Sequence, residues 1–324
     1  MGTGVTYMNG DVPRRVDLLT LGEPIVCLDS RGVRLDDATV LHVGLGGAEC
    51  NVAIGLARLG HRAAVIGRVG DDPFGRAVRR RLRAEGVDAT NLVIDGAAPT
   101  AVLFKEQTYR GAEVHYRRTG CAGSRLGVDD VDAAIAADAR AVHVTGVTAA
   151  LGAGPRDAVA HLMQSAVAAG ARVSFDANLR RKLASADELV DMFHSLCVHA
   201  DDVLMGWGEA SLIAGDSTDD AIRALMVGLD RPCVIVKRPA GGAICLEDGT
   251  WHIHSAPPAT VVDPVGAGDA FAVGFLHERL TGGTTPDALA RGAEIAARVI
   301  GRHGDNAALP YAAELAPAVA GVHR

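Results

Sequence analysis

The segment Val261-Val262-Asp263-Pro264-Val265-Gly266-Ala267-Gly268-Asp269-Ala270-Phe271 gathers the residue types that anion chemistry needs. Gly266, Ala267 and Gly268 are small enough to let backbone approach a ligand closely. A helix begins at this point by its pattern, so free N–H groups and the positive end of the helix dipole converge there. Such a cradle suits charge developing on a phosphoryl group. Asp269 falls in the first helical turn, where a carboxylate can take the proton of an attacking hydroxyl. Taken alone, the same residues also describe a glycine-rich turn with Asp at a helix start.

A second segment, Gly44-Leu45-Gly46-Gly47-Ala48-Glu49-Cys50-Asn51-Val52-Ala53, sets paired glycines before another helix. Gly46 and Gly47 would let a polar ligand lie against backbone, with Asn51 hydrogen-bonding it; tight loop–helix packing explains the residues as well. Cys50 and Cys121 have no His or Asp partner in sequence that would mark a nucleophile. His143 and His161 read as packing or surface residues, and Trp207 as structural or as a wall beside an aromatic ligand.

The elements that must hold these segments alternate. Strands are expected at 17–22, 63–67, 141–145, 172–176, 202–205 and 233–237. Helices are expected at 49–59, from Pro73 onward, and at 128–137, 156–169, 186–199, 219–229, 267–280 and 286–300. Strands separated by helices imply βαβ units, a mostly parallel sheet and helices on both faces. The stretches 23–46 and 99–120 break the rhythm and read as extended antiparallel additions. The chain from Tyr311 is Ala-rich and reads as a last helix or a frayed end.

Composition narrows the class. With 324 residues, 48% hydrophobic and 22% charged, the chain can bury a large core and is not a disordered one. A net charge of −7 and the lack of long basic runs argue against nucleic acid as a partner. The cysteines at 27, 50, 121, 197, 233 and 245 form no C-x-x-C, which points to buried free thiols in a reducing compartment. Met1 to Arg15 is polar, without the apolar stretch of a signal peptide, and no run of 18 apolar residues occurs. The expectation is a cytoplasmic protein that does not engage a membrane.

Together, the two glycine-rich segments resemble the signatures of the PfkB family of carbohydrate kinases, which have the ribokinase-like fold. The N-terminal signature runs from Gly46-Gly47 through Asn51-Val52-Ala53 to Leu56-Ala57-Arg58-Leu59-Gly60, and the C-terminal one is Asp263-x-x-Gly266-Ala267-Gly268-Asp269. The likeness extends from about residue 17 to 310. It implies one α/β domain over 1–324, a three-layer sandwich with a mostly parallel sheet and a small β lid from about 23–46 and 99–120. It further implies ATP, Mg²⁺ and transfer of a γ-phosphoryl group to a sugar hydroxyl. Position by position, Asp269 matches the catalytic base and Gly266, Ala267 and Gly268 the anion hole. Gly46, Gly47 and Asn51 match sugar contacts, and Lys237 and Gly242 match the nucleotide pocket. Glu209 matches the acid of an Asn-x-x-Glu segment that organises Mg²⁺ through water, but Gly206 stands where the Asn would be. The lids of such kinases often pair between subunits, so a homodimer is expected.

Within that family the chain is most similar to 2-keto-3-deoxygluconate kinases. Gly22-Glu23-Pro24, Tyr116 to Leu126, Asp176 to Leu183 and Pro264 carry this likeness. It implies that Tyr116, Arg118 and Arg180 hold an acid sugar and that Asp305 contacts it. The chemistry is coherent, since a guanidinium gives a carboxylate two parallel hydrogen bonds. The chain departs from the subgroup at Leu103 and Arg117, where tyrosines are usual, and at Ala184, where Trp is usual. Leu103 cannot hydrogen-bond a hydroxyl. A neutral sugar such as fructose or ribose is the alternative substrate, and a non-catalytic sugar- or nucleotide-binding relative a third reading.

Overall fold

The computed structural model describes residues 15–108, 111–238 and 241–315. The polar leader, the tip at 109–110 and the chain from 316 lie outside these. Strand β1 (Val16–Leu21) is followed by β2 (Ile25–Asp29), β3 (His42–Gly46) and helix α1 (Ala48–Arg58). Next come β4 (Ala63–Gly70), α2 (Pro73–Ala84), β5 (Leu92–Asp95), β6 (Val102–Thr108) and β7 (Gly111–Arg117). The chain continues through α3 (Ala133–Ala137), β8 (Ala139–Thr145), α4 (Gly146–Ala149), α5 (Ala153–Ala168) and β9 (Arg172–Asp176). Then follow α6 (Ala186–Cys197), β10 (Asp202–Gly206), α7 (Trp207–Ala214), α8 (Asp219–Gly228) and β11 (Cys233–Arg238). A hairpin of β12 (Gly242–Glu247) and β13 (Thr250–His254) precedes α9 (Ala267–Thr281) and α10 (Thr285–Val299).

The large sheet has nine strands in the order β13-β12-β11-β10-β9-β8-β1-β4-β5. From β11 to β5 every pairing is parallel, while β12 and β13 add antiparallel at one edge. This is the mostly parallel, helix-flanked α/β sheet expected above. Its central parallel strands are buried on both faces, as helix-covered strands are, whereas β13 at the edge is largely exposed. In β1, Leu18 joins one core cluster with α1, α9 and α10, whereas Leu19 and Leu21 join the other with α5, α6 and α8. That split follows the period of two along a strand. Each fully buried Leu removes apolar surface worth roughly 1.5–3 kcal/mol.

A second sheet of four strands has the order β3-β2-β6-β7. It is built from the two stretches that break the βα rhythm. The expectation of antiparallel strands needs one correction: β2 and β6 pair in parallel, and only β2–β3 and β6–β7 are antiparallel.

The helix expected over 128–137 also needs correction. A single 3-10 turn, Val128–Asp130, is followed by the short α3, capped by Asp132 accepting from the Ala134 N–H at 2.8 Å. Asp130 accepts from the Gly127 N–H at 2.9 Å and pairs with Arg68. Short acidic side chains that bind nearby backbone favour caps over helix interiors. Elsewhere capping follows the sequence: Asp72 accepts from the Gly75 N–H at 2.7 Å, with Pro73 opening α2. Helices α4 and α7 and strands β5, β12 and β13 are further elements that periodicity did not announce. All six cysteines are buried and free. Among the described residues no helix is long and apolar enough to cross a membrane.

Candidate functional site

A cleft of about 1420 Å³ opens where the carboxyl ends of the parallel strands meet the smaller sheet and the start of α9. Ligands of open α/β sheets bind at such strand ends. Every residue given a catalytic, sugar, nucleotide or metal role from the sequence lines it except Gly46, which lies one residue before the lining Gly47.

Gly266 caps α9 with φ 85, a left-handed conformation that favours glycine. A Cβ there would stand 2.7 Å from the Asp305 carbonyl oxygen, so a side chain is excluded on two counts. Gly268 faces the Lys237 ammonium, 3.4 Å from where its Cβ would be. Together with Ala267 they form a small-residue rim at a helix N-terminus, beside a cation. Gly47 has φ 108 and sits so close to the Glu23 carbonyl that a Cβ would be 2.6 Å away. Gly242, φ 83, opens the β12–β13 hairpin against the His254 carbonyl.

Asp269 projects from the first turn of α9. Its carboxyl is pushed up to about 6, chiefly by burial and by the neighbouring Asp176, against the pull of Asn51, Arg180 and Lys237. A base with a pKa near the working pH is well matched to its task. Asn51 is committed rather than free: its Nδ2 donates to Asp269 Oδ2 at 2.8 Å, and its Oδ1 accepts from Asn306 Nδ2 at 3.0 Å. Asn306 also donates to the Leu45 carbonyl at 2.7 Å. Asn51, which also lines the cleft, thus holds the Asp269 carboxylate in place. Beneath it, Glu49 is fully buried, accepts from the hydroxyls of Thr145 and Thr148 at 2.7 Å, and is raised to about 7 mainly by burial.

Lys237, the last but one residue of β11, pairs with Asp176 Oδ2 at 2.6 Å. Burial opposes its charge, but Asp176, Glu209 and Asp269 outweigh it and hold the ammonium above the usual lysine range. Asp176 Oδ1 and Asn178 Oδ1 are buried acceptors without a hydrogen-bond partner in the structure. Asn178 adopts φ 38 at the strand end. Glu209 is half-buried; desolvation of its carboxyl raises its pKa, and both oxygens are used: one accepts from the Gly206 N–H at 2.6 Å, the other from the Leu179 N–H at 2.9 Å. It thus locks the α7 start against the loop after β9.

The two arginines diverge. Arg180 is exposed on the cleft wall beside Arg181 and Lys182, and among the described residues no carboxylate bonds it. Its field reaches Asp269 and Glu209 and lowers both. Arg118 already holds a carboxylate: its Nε and Nη2 donate to Glu23 Oε2 at 2.8 and 2.5 Å, and it lies 4.9 Å over the Tyr116 ring. Glu23 is raised by burial despite this partner, and its Oε1 has no partner. Asp305 is likewise engaged: Lys105 Nζ lies 3.1 Å from its Oδ1 and also bonds Asp263. Leu103 lines the cleft, Arg117 is exposed and donates to the Tyr116 carbonyl, and Ala184 packs at the core edge.

Sequence reasoning passed over Lys105, Asn306, Glu49 and Glu23. Glu49 lay inside the quoted motif, and Asn306 adjoins Asp305; only long-range pairing reveals what either does.

A family model described as pfkB family carbohydrate kinase matches residues 25–312. A 2-dehydro-3-deoxygluconokinase of Bacillus subtilis (strain 168) is 33% identical over 308 residues, covering 93% of this chain and 95% of that protein. The crystal structure of a PfkB protein from Polaromonas sp. JS666 is 37% identical with a TM-score of 0.84, over 92% of this chain and 98% of that one. A putative ribokinase II from E. coli, solved in complex with ATP and Mg²⁺, is 26% identical with a TM-score of 0.85, over 92% of this chain and 97% of that one.

Proposed function

The chain belongs to the pfkB family of carbohydrate kinases, and from that premise we propose that it transfers the γ-phosphoryl group of ATP to a hydroxyl of 2-keto-3-deoxygluconate or a similar acid sugar. The observation that carries this reading is the placement of Asp269 beside the Gly266-Ala267-Gly268 rim, with the unpaired Arg180 across the same cleft. ATP and Mg²⁺ come from the family and from the E. coli relative's complex. The residues present fit both groups. A rim of small residues at a helix start suits phosphate oxygens, and the orphaned Asp176 Oδ1 and Asn178 Oδ1 suit a metal's water shell.

When bound, the metal would spread the charge of the phosphates and help hold them in line. The chain supplies the rest. Asp269, ionised above about pH 6, accepts the sugar hydroxyl's proton at the carboxylate oxygen that Asn51 leaves free. The N–H groups at the α9 start, with Lys237 beside them, meet the charge that develops as the hydroxyl attacks. Arg180 offers its planar fork to the sugar carboxylate. Glu209 keeps the strand-end loop that carries Arg180 in place through Leu179. Lys237 and Gly242 border the nucleotide, and Gly46, Gly47 and Tyr116 the sugar.

The smaller sheet is the lid of a single domain and excludes water from the phosphoryl donor. Exposed Val43 on β3 and Val40 just before that strand, 64% and 65% accessible, support a homodimer through that sheet. The six buried free thiols support a cytoplasmic setting.

A neutral sugar is the second reading. Two observations favour it: Arg118 is already neutralised by Glu23, and Leu103 offers the sugar no hydrogen bond. Coupled ADP release over acid and neutral sugars decides between them. Turnover of 2-keto-3-deoxygluconate or its epimers well above fructose and ribose is expected; the reverse order would refute the acid-sugar assignment.

A further inference from the structure

Lys105 has no task in the reaction as described, yet it is the cation most completely enclosed near the site. It stands on β6 of the smaller sheet, in register with Asp29 of β2, and its side chain is 4% exposed. An ammonium so buried is strongly destabilising unless it is matched. Here Nζ bonds the Asp263 carboxylate and lies 3.1 Å from Asp305 Oδ1. Burial opposes the charge, but the two carboxylates prevail and hold Lys105 above the ordinary lysine range.

Both aspartates prop the anion cradle. Asp263 Oδ1 accepts from the Val265 N–H at 3.1 Å, one residue before Gly266. The Asp305 main chain abuts Gly266 so closely that no Cβ fits between them. Asn306, next in the chain, continues the contact through Asn51 to Asp269. One cation on the smaller sheet thus touches both supports of the phosphoryl site. The other titratable groups around it are Asp29, whose carboxylate clusters with Asp263 and exposed His303, and Cys27, pushed up to about 12 by burial and Asp305.

We propose that Lys105 is a positioning residue for phosphoryl transfer: its ammonium ties the smaller sheet to the anion cradle and cancels the charge of the carboxylates on which the cradle rests. The proposal depends on Gly266 to Gly268 being the phosphoryl site. Without the ammonium, Asp263 and Asp305 are like charges in a low-dielectric pocket, beside the place where an anion must sit. They would repel each other and displace the cradle that they support. Because β6 carries the cation, any departure of the smaller sheet would leave both aspartates unmatched.

The test compares Lys105→Met and Lys105→Arg with the parent, using ADP release on whichever sugar the parent turns over best and amide hydrogen exchange without substrate. For the Met variant kcat should fall about 100-fold, the loss expected of a misplaced site. Its KM for ATP should change far less. Its optimum should move to lower pH, where protonating one aspartate relieves the repulsion. The Arg variant should recover part of kcat at the parent's optimum. Exchange in the Met variant should rise together in Val102–Thr108 and around 263–268. If the Met variant fails to fold, Lys105→Gln, which also removes the charge, takes its place: a reduced kcat with the optimum moved to lower pH supports the proposal, and a parent-like kcat refutes it. A Met variant with parent-like kcat, or with faster exchange in β6 alone and no shift of optimum, would overturn it. A parent inactive on every sugar would instead sink the kinase reading, and the exchange result alone would then judge Lys105.

Discussion

Asn51→Leu should move the acid limb of the pH–rate profile. In the parent, Asp269 must be ionised to take a proton, so kcat/KM should fall as pH drops through about 6. The Asn51 amide donates to Asp269 Oδ2 at 2.8 Å and favours the ionised form. Leucine has similar volume and no donor. A hydrogen bond to a charged group is worth roughly 1.5–3 kcal/mol, and about 1.4 kcal/mol corresponds to one pK unit. The limb should therefore rise by roughly one to two units, to about 7–8. Near neutral pH the variant should be slow, and in alkaline buffer it should approach the parent, since ionised Asp269 is then restored. Asn306 keeps its bond to the Leu45 carbonyl, so the fold should survive. The assay is coupled ADP release at low sugar across the pH range, with thermal unfolding as a control. A limb that stays where the parent's lies, or a uniform loss at all pH values, would show that Asn51 does not tune the base.

Asp269→Asn should keep the parent's melting temperature and lose about 10² to 10⁴ in kcat, because the amide cannot accept the proton; turnover within a few-fold of the parent would remove Asp269 from the mechanism. Arg58→Met should instead cost stability. Arg58 bonds both Glu85 oxygens at 2.8 and 2.9 Å and the carbonyls of Asn306 and Leu309, with side-chain exposure of 5% and 9% in the pair. Breaking a buried pair by removing one partner costs about 3–5 kcal/mol, so the melting temperature should drop by several degrees. An unchanged melting temperature would show that Arg81, which also reaches Glu85, suffices.

What the sequence made legible was what is local. The βα rhythm, the α2 cap at Asp72 and Pro73, and the two glycine-rich helix starts depend on neighbours a few residues apart. The β12–β13 hairpin carried its own signal and was still missed. Asp248 and Gly249, an Asp-Gly pair between two short runs, turn it with φ 46 and 78. Helix α7 was masked by Gly206 and Gly208, and is started instead by the Glu209 carboxylate reaching back to the Gly206 N–H. The parallel pairing of β2 with β6 joins stretches far apart in the chain, which periodicity cannot rank. The site divides the same way. Asp269 and its cradle were readable in place, whereas Arg118 and Asp305 could be named but not their partners. Glu23 and Lys105 satisfy those charges from distant strands, and the pairing exists only once both sheets are assembled.

The most direct test of the acid-sugar assignment is the sugar selectivity of Arg180→Met. Initial rates of ADP release are measured for parent and variant on 2-keto-3-deoxygluconate and on fructose. If Arg180 holds the carboxylate, its loss removes a charge-assisted contact worth roughly 1.5–3 kcal/mol, and KM for the acid sugar should rise about 10- to 100-fold. Arg180→Lys should recover only part of this, since an ammonium lacks the planar fork. Any rate on fructose should change little. Equal losses on both sugars would make Arg180 structural, and a parent that phosphorylates fructose but no acid sugar would contradict the assignment outright.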